Sequence, residues 1–315
     1  MTETEIEILV TAPFEPALVA GLDSAYRLHR LWEAEDSEAF LDTVGPRIRG
    51  LASGYSIGAP ATLIDRLPKL EIIANFGVGY EKVDVDHARR KGIRVTNTPD
   101  VLTEDVADLA IALWLAVARR IPAAERFLRG GKWPAGAFPL AASVQRRRVG
   151  ILGMGRIGQA IARRAQLFNA EIRYSQPRRR PEVAFAHEPD PVTLAAWCEV
   201  LFIATPGGDA TRALVDSRVL EALGPKGILI NIARGSVVDE TALVSALTEG
   251  RLGAAGLDVF AGEPHVPEAL LSLDNVVLLP HVGSATVETR RAMGQLVFDN
   301  LAAYFAGRPL LTPVA

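Results

Sequence analysis

Val149-Gly150-Ile151-Leu152-Gly153-Met154-Gly155-Arg156-Ile157-Gly158 is an apolar run that ends in glycines spaced G-x-G-x-x-G. It leads into Gln159 to Phe168, where Ile161, Ala162, Ala165 and Phe168 fall on one helical face. Strand, tight turn and helix in that order are what a dinucleotide-binding unit requires. Gly153 permits the turn, Gly155 lets the backbone approach a pyrophosphate, and Gly158 lets helix pack on strand. Glycines alone would equally suit a flexible loop; the flanking strand and helix decide the matter. The residues expected along the anion are Gly153, Met154, Gly155, Arg156 and Ile157, at the N–H-rich start of the helix.

The residue that handles the adenosine ribose is expected about 20 positions further on. The next strand, Glu171 to Gln176, breaks at Pro177-Arg178-Arg179-Arg180 with no acidic side chain at its end. A carboxylate there would accept both ribose hydroxyls of NAD and repel a 2′-phosphate, whereas Ser175 followed by Arg178 and Arg179 offers forked donors to that phosphate. The pattern favours NADP; the competing reading of three arginines is a solvated turn.

At 315 residues, 49% hydrophobic and 23% charged, the chain has the composition of a soluble protein with room for two cores. A net charge of -3 gives no footprint for nucleic acid. One cysteine, Cys198, excludes an internal disulfide and any multi-cysteine metal site, and no metal is expected. No positively charged start precedes an apolar stretch, and Leu109 to Ala118 is far short of the roughly 20 residues that span a bilayer. The expected location is cytoplasmic, with no membrane association.

From the N-terminus, β-rich runs at Ile6 to Val10, Arg27 to Leu31, Ile48 to Ala52, Leu70 to Asn75 and Ile93 to Thr96 alternate with helical segments such as Val85 to Lys91. Such alternation implies right-handed βαβ units and a parallel sheet. Thr103 to Arg120 reads as one helix, acidic at its start and basic at its end, which Pro122 ends or kinks. The irregular segment Gly130 to Pro139, rich in aromatics, glycine and proline, covers a site, meets a partner or is a packed connector. A second series follows at Ile172 to Ser175, Val200 to Thr205, Gly227 to Ile232, Ala254 to Val259 and Val276 to Leu279, six strands when Val149 to Leu152 is included. Val287 to Phe305 is a long amphipathic helix.

In an open parallel sheet the ligand lies off the carboxyl ends of the strands. The residues directly after the strands form a set: Thr205-Pro206-Gly207-Gly208, Ala233-Arg234-Gly235, Asp258, Glu263 and His281, with Thr205, Pro206, Ile232, Ala233, Arg234, Asp258 and His281 expected at the cofactor. Arg234 carries a planar fork suited to the carboxylate and carbonyl oxygens of a 2-oxo acid, or else forms a structural ion pair. His281 directly follows a strand, and Glu263 is a candidate to hold its ring and favour the imidazolium, which would make a proton donor. Asp258 either anchors the nicotinamide side or caps a helix.

Leu229-Ile230-Asn231-Ile232-Ala233-Arg234-Gly235, Val238-Asp239-Glu240, Gly256-Leu257-Asp258-Val259-Phe260 with Glu263-Pro264, and His281-Val282-Gly283-Ser284-Ala285-Thr286 resemble the signatures of the D-isomer-specific 2-hydroxyacid dehydrogenases, in the family's order. The resemblance implies an α/β architecture of two doubly wound parallel-sheet domains. A Rossmann NAD(P)-binding domain (99–283) is inserted into a flavodoxin-like substrate domain (1–98 and 284–315). It implies Arg234 as the substrate-binding and polarising residue, His281 as acid/base and Glu263 as its partner. Val78 and Gly79 would offer backbone N–H groups to the substrate carboxylate, Ser53, Gly54, Tyr55 and Ser284 would face the substrate, and Val106 and Gly283 would join the cofactor contacts. The implied assembly is a homodimer formed through the nucleotide domain.

Asn97-Thr98-Pro99-Asp100-Val101-Leu102-Thr103 and Leu310-Leu311-Thr312-Pro313-Val314 resemble the glyoxylate/hydroxypyruvate and hydroxyphenylpyruvate reductases within the family, relatives that often carry serine and arginine at the ribose strand end. Thr205-Pro206-Gly207-Gly208 departs from the Leu-Thr that many members have after the proline. The expected activity is NADPH-dependent reduction of a short 2-oxo acid, with hydroxyphenylpyruvate or 2-ketogluconate as alternative substrates. A phosphoglycerate substrate is disfavoured because the loop from Ala52 to Gly58 has no cation, and formate is disfavoured by the Glu263 and His281 pairing. A nucleotide-sensing binding protein of the co-repressor kind is the alternative of another class.

Overall fold

Five strands pair in parallel as β1 (Glu7–Val10), β2 (Arg27–Arg30), β3 (Ile48–Ser53), β4 (Ile72–Asn75) and β5 (Arg94–Thr96), in the order β2-β1-β3-β4-β5, with the apolar runs in the middle and the polar β2 at one edge. The central strands are buried along their length, as continuous apolar runs of a parallel sheet covered on both faces should be. The computed structural model describes residues 5–54 and 57–314. The sheet belongs to a unit made of Met1–Leu102 and Thr286–Ala315, and Thr103–Ala285 form a second unit.

In unit 1 the Val287–Phe305 helix starts at Thr286, whose hydroxyl accepts from Thr289 N at 3.2 Å, and buries Met293, Val297 and Leu301. Asn300 on that helix is fully buried, and its side-chain oxygen accepts from Leu311 N and Thr312 N. This ties down the C-terminal segment, which then bridges β5 through Thr96 and Pro313 and through Val314 N to Val95 O at 2.8 Å.

Unit 2 holds β6 (Arg148–Leu152), β7 (Glu171–Ser175), β8 (Ala186–His187), β9 (Val200–Ile203), β10 (Ile228–Asn231), β11 (Ala254–Leu257) and β12 (Val276–Leu278), in the order β12-β11-β10-β9-β6-β7-β8. The pattern of six strands is corrected to seven. The extra strand, β8, is two residues long, half-exposed and without an apolar run, so it carries no periodic signal. Strand order reverses beside β6, the switch point at which doubly wound sheets bind ligands. Register places Ser175, Leu152, Ile203, Asn231, Leu257 and Leu278 in one row across the sheet, so everything that follows them emerges along one edge.

The long helix runs Thr103–Ala118 and buries Trp114 edge-on against Phe168 and Phe202, with ring centroids 5.3 and 5.9 Å away. It stops short of Arg120, whose φ of 52° turns the chain into a second helix, Ile121–Arg129. Pro122 therefore begins a helix, where its missing N–H costs nothing, rather than kinking one. That second helix buries none of its residues, and Leu128, Trp133 and Leu140 near it are exposed. Among the described residues no helix is long and apolar enough to cross a membrane.

Candidate active site

The glycine turn is built as its spacing requires. Gly153 adopts φ 90°, which a side chain would resist, and a Cβ on Gly158 would come within 2.1 Å of the Gly153 carbonyl oxygen. A Cβ on Gly155 would meet nothing within 4 Å, so this glycine faces open space at the N-terminus of the Arg156–Gln166 helix. An anion can lie against backbone there, and the residues present fit a dinucleotide pyrophosphate. Thr205 backs the turn, its Cα 2.8 Å from the Cβ position of Gly153, and Thr211 donates to Pro206 O at 2.7 Å.

At the strand end meant for the ribose, Ser175 is buried and its hydroxyl donates to Pro189 O at 3.2 Å. Arg178 and Arg179 are exposed, and among the described residues neither meets a carboxylate, whereas Arg180 pairs with Glu182 at 2.7 Å. The exposed donors are therefore the two guanidiniums and not the serine hydroxyl. A clasp unforeseen from the sequence ties this loop to the glycine turn: Gln176 Oε1 accepts from Met154 N at 3.1 Å, and Arg180 donates to Met154 O at 3.0 Å. Gln176 follows the strand without any pattern to mark it.

Further along the same edge, Asn231 is buried and fully engaged, accepting from Ala233 N at 3.1 Å and donating to Arg234 O at 3.1 Å. These bonds shape the turn that presents Arg234, whose Nη1 also donates to Ala233 O at 2.6 Å. A polar residue ending an apolar strand was the available sign, since a buried amide must find partners. Ile232 and Ala233 are buried beneath it. Gly235 lies so close to Phe260 and Ala261 that any Cβ would overlap their backbone, which brings the arginine turn against the segment carrying Glu263.

Glu263 accepts from Phe260 N at 3.0 Å through one oxygen and contacts His281 Nδ1 at 2.8 Å through the other. Burial alone would raise its pKa, but the hydrogen bonds from His281 and Phe260, with the charges of His281 and Arg234, hold the carboxyl below its ordinary range. His281 has φ 56°, a left-handed conformation that costs a non-glycine residue free energy. The compensation comes from Asp258: its carbonyl accepts from His281 N, and its carboxylate accepts from Val282 N at 2.7 Å and Gly283 N at 2.8 Å. Asp258 is buried, and this desolvation, only partly offset by those two bonds, pushes its pKa up. Val106 is buried beside Gly283, and Ser284 is half-buried in the next turn.

In unit 1, Val78 and Gly79 lie half-buried in the loop after β4. Ser53 is fully buried and donates to Asn75 Oδ1 at 3.3 Å, while Gly54 N donates to Thr11 Oγ1 at 2.9 Å. Ser53 thereby touches the amide that holds the loop, and Gly54 is tied to the end of β1. Tyr55 lies outside the described residues.

A model of the D-isomer specific 2-hydroxyacid dehydrogenase NAD-binding domain matches residues 111–283. The chain is 51% identical to glyoxylate/hydroxypyruvate reductase A of Arabidopsis thaliana, over 98% of this chain and 99% of the relative. It is 50% identical to hydroxyphenylpyruvate reductase of Plectranthus scutellarioides, with the same coverage of 98% and 99%. Among solved structures it resembles an NADPH-dependent glyoxylate/hydroxypyruvate reductase from Sinorhizobium meliloti in complex with NADP and malonate, with TM-score 0.91, 47% identity and coverage of 99% and 97%. This chain belongs to the D-isomer-specific 2-hydroxyacid dehydrogenases, a family of oxidoreductases with an NAD-binding domain.

Proposed function

We propose that the protein reduces a short 2-oxo acid, glyoxylate or hydroxypyruvate, to the D-2-hydroxy acid with NADPH. The observation that carries this reading is the convergence of Arg234, Glu263 and His281 on the edge where the open Gly155 turn emerges. The bound dinucleotide supplies the hydride. Glu263 orients the His281 ring through Nδ1, so Nε2 is the nitrogen that delivers a proton to the carbonyl oxygen. Arg234 binds the carboxylate and stabilises the charge that develops on that oxygen. Asp258 keeps the His281 backbone in its strained conformation. Val78 and Gly79 offer N–H groups to the carboxylate, and residues 99–283 serve as the nucleotide domain.

Preference for NADPH is supported by Arg178 and Arg179, exposed donors with no acidic residue at the strand end. A homodimer is supported by the unburied Ile121–Arg129 helix and the exposed Trp133 and Leu140. The test is a steady-state panel of glyoxylate, hydroxypyruvate, hydroxyphenylpyruvate and 2-ketogluconate with each cofactor. We expect kcat/KM to be highest for one of the first two acids, and at least about tenfold higher with NADPH, or about 1.4 kcal/mol. Alanine at both Arg178 and Arg179 should raise KM for NADPH far more than for NADH. Equal losses would remove the arginines from 2′-phosphate recognition, and absence of turnover with every acid would sink the reading.

A further inference from the structure

The loop after β4 is held by its carbonyls. Asn75 Nδ2 donates to Gly77 O at 3.3 Å and to Gly79 O at 3.0 Å, Thr98 N donates to Gly77 O at 3.0 Å, and Asn97 Nδ2 donates to Val78 O at 2.9 Å. Three consecutive carbonyls are thus fastened within unit 1. In a planar trans peptide the C=O of one residue and the N–H of the next point in opposite directions. Fastening the carbonyls of residues 77, 78 and 79 therefore turns each of the N–H groups of Val78, Gly79 and Tyr80 away from the bond that holds the carbonyl before it. Among the described residues none of those three N–H groups has an acceptor within hydrogen-bond reach.

Successive backbone N–H groups without acceptors suit an anion. A second observation on the same loop agrees: the Arg290 guanidinium lies over the Phe76 ring, 5.6 Å from its centroid, and among the described residues it meets no carboxylate. Burial without a counter-ion pulls its pKa down, the condition of a cation that an arriving anion would relieve.

We propose that Asn75 and Asn97 are positioning residues for recognition of the substrate carboxylate, and that Asn97 is set in turn by the C-terminal segment through Thr312. The inference rests on the reading that Val78 and Gly79 receive that carboxylate. Thr312 Oγ1 donates to Asn97 O at 2.6 Å and accepts from Asn300 Nδ2 at 2.9 Å, while Asn97 N donates to Thr312 O at 3.3 Å. The sequence motifs around Asn97 and around Thr312 are thereby one device. Ser53 belongs to it as well, donating to the oxygen of Asn75 and so leaving that amide's nitrogen for the loop carbonyls.

The test compares wild type, Asn97→Ala and Thr312→Val, measuring KM for glyoxylate, the dissociation constant of oxamate by calorimetry with NADPH present, KM for NADPH and thermal midpoint. Asn97→Ala should raise KM for glyoxylate and the oxamate constant together by about tenfold or more, with KM for NADPH within about twofold of wild type. Thr312→Val should move the same two constants in the same direction by a smaller factor. An Asn97→Ala enzyme that binds oxamate as wild type does, or that loses substrate and cofactor affinity in parallel with its midpoint, overturns the positioning role while leaving the proposed reaction standing. A wild-type enzyme that neither turns over glyoxylate nor binds oxamate overturns both. Should Asn97→Ala fail to fold, the oxamate constant of Thr312→Val decides, and no change in it counts against the proposal.

Discussion

Two histidines of this chain touch glutamates at nearly the same distance: His281 to Glu263 at 2.8 Å, and His29 to Glu7 at 2.6 Å. In both glutamates burial would raise the pKa, and the hydrogen bond from the histidine together with other donors more than reverses that. The pairs differ in where the chain puts them. His29 lies within β2 and Glu7 opens β1, both side chains are nearly closed off at 10% and 12% exposure, and Arg47 adds a bond to Glu7 at 3.0 Å. His281 follows the carboxyl end of a strand on a left-handed residue, one-third exposed at 33%, with the Arg234 turn packed against the segment that carries its partner. A histidine–carboxylate contact by itself therefore assigns no role; strand-end position and held backbone strain set His281 and Glu263 apart as the pair that the proposed reduction would use.

The comparison breaks most easily at the histidines. His281→Ala should lower kcat/KM by at least about 10²-fold, the lower bound for losing a general acid, while the dissociation constant for NADPH stays within about twofold, because the lost interaction acts in the transition state. His29→Ala should keep kcat within about twofold and lower the thermal midpoint instead. Similar losses of turnover in the two variants would erase the distinction drawn between them, and an active His281→Ala enzyme would remove the proton donor.

The same contrast explains how much of the molecule is legible in its amino-acid order. Apolar strand runs announce themselves by composition, and the glycine trio announces a turn, so the parallel strands of both sheets, the two-residue β8 apart, follow from the order of residues alone. Residues at strand ends are legible too, because parallel topology brings Gly153, Thr205, Arg234, Asp258 and His281 to one edge whatever their sequence separation. Side chains that act on backbone are hidden. Asn75, Asn97, Asn231 and Gln176 each bond to main-chain groups, which every residue possesses, so no complementary letter elsewhere in the chain betrays the pairing. Ser175 illustrates the converse: its type suggests a ribose-side contact, but the short β8, invisible as a pattern, leads into the Pro189 carbonyl that takes its hydroxyl.

A milder change sharpens the comparison within the strand-end pair. Glu263→Gln keeps a hydrogen-bonding side chain beside His281 but removes the carboxylate whose own pKa that contact holds down, so kcat/KM for reduction should fall, by less than in His281→Ala, with NADPH binding unchanged. The check is the steady-state rate of wild type and variant with saturating NADPH. An unchanged rate would leave Glu263 as a packing residue, and its resemblance to Glu7 would then be complete.

The smallest effect belongs to Glu7 itself. Its carboxyl is held below the ordinary value of 4.5, because its bonds to His29 and Arg47 outweigh burial. A depressed carboxylate contributes stability that is fully present above its unfolded value and is lost as pH falls through its folded value, since only the unfolded chain takes up the proton in between. Wild type should therefore melt above Glu7→Gln at neutral pH by about 1–3 °C, the scale for up to about 1 kcal/mol in a domain of this size. The gap should close on acidification below about pH 5, as Glu7 takes up its proton. Taking the difference between the two proteins cancels the other carboxylates, which titrate in both. Turnover at neutral pH should match wild type, for no bond from Glu7 leads to the glycine turn or to His281. A gap that persists into acid would mean that Glu7 acts by shape and not by charge, and a loss of turnover would give the two pairs a common role.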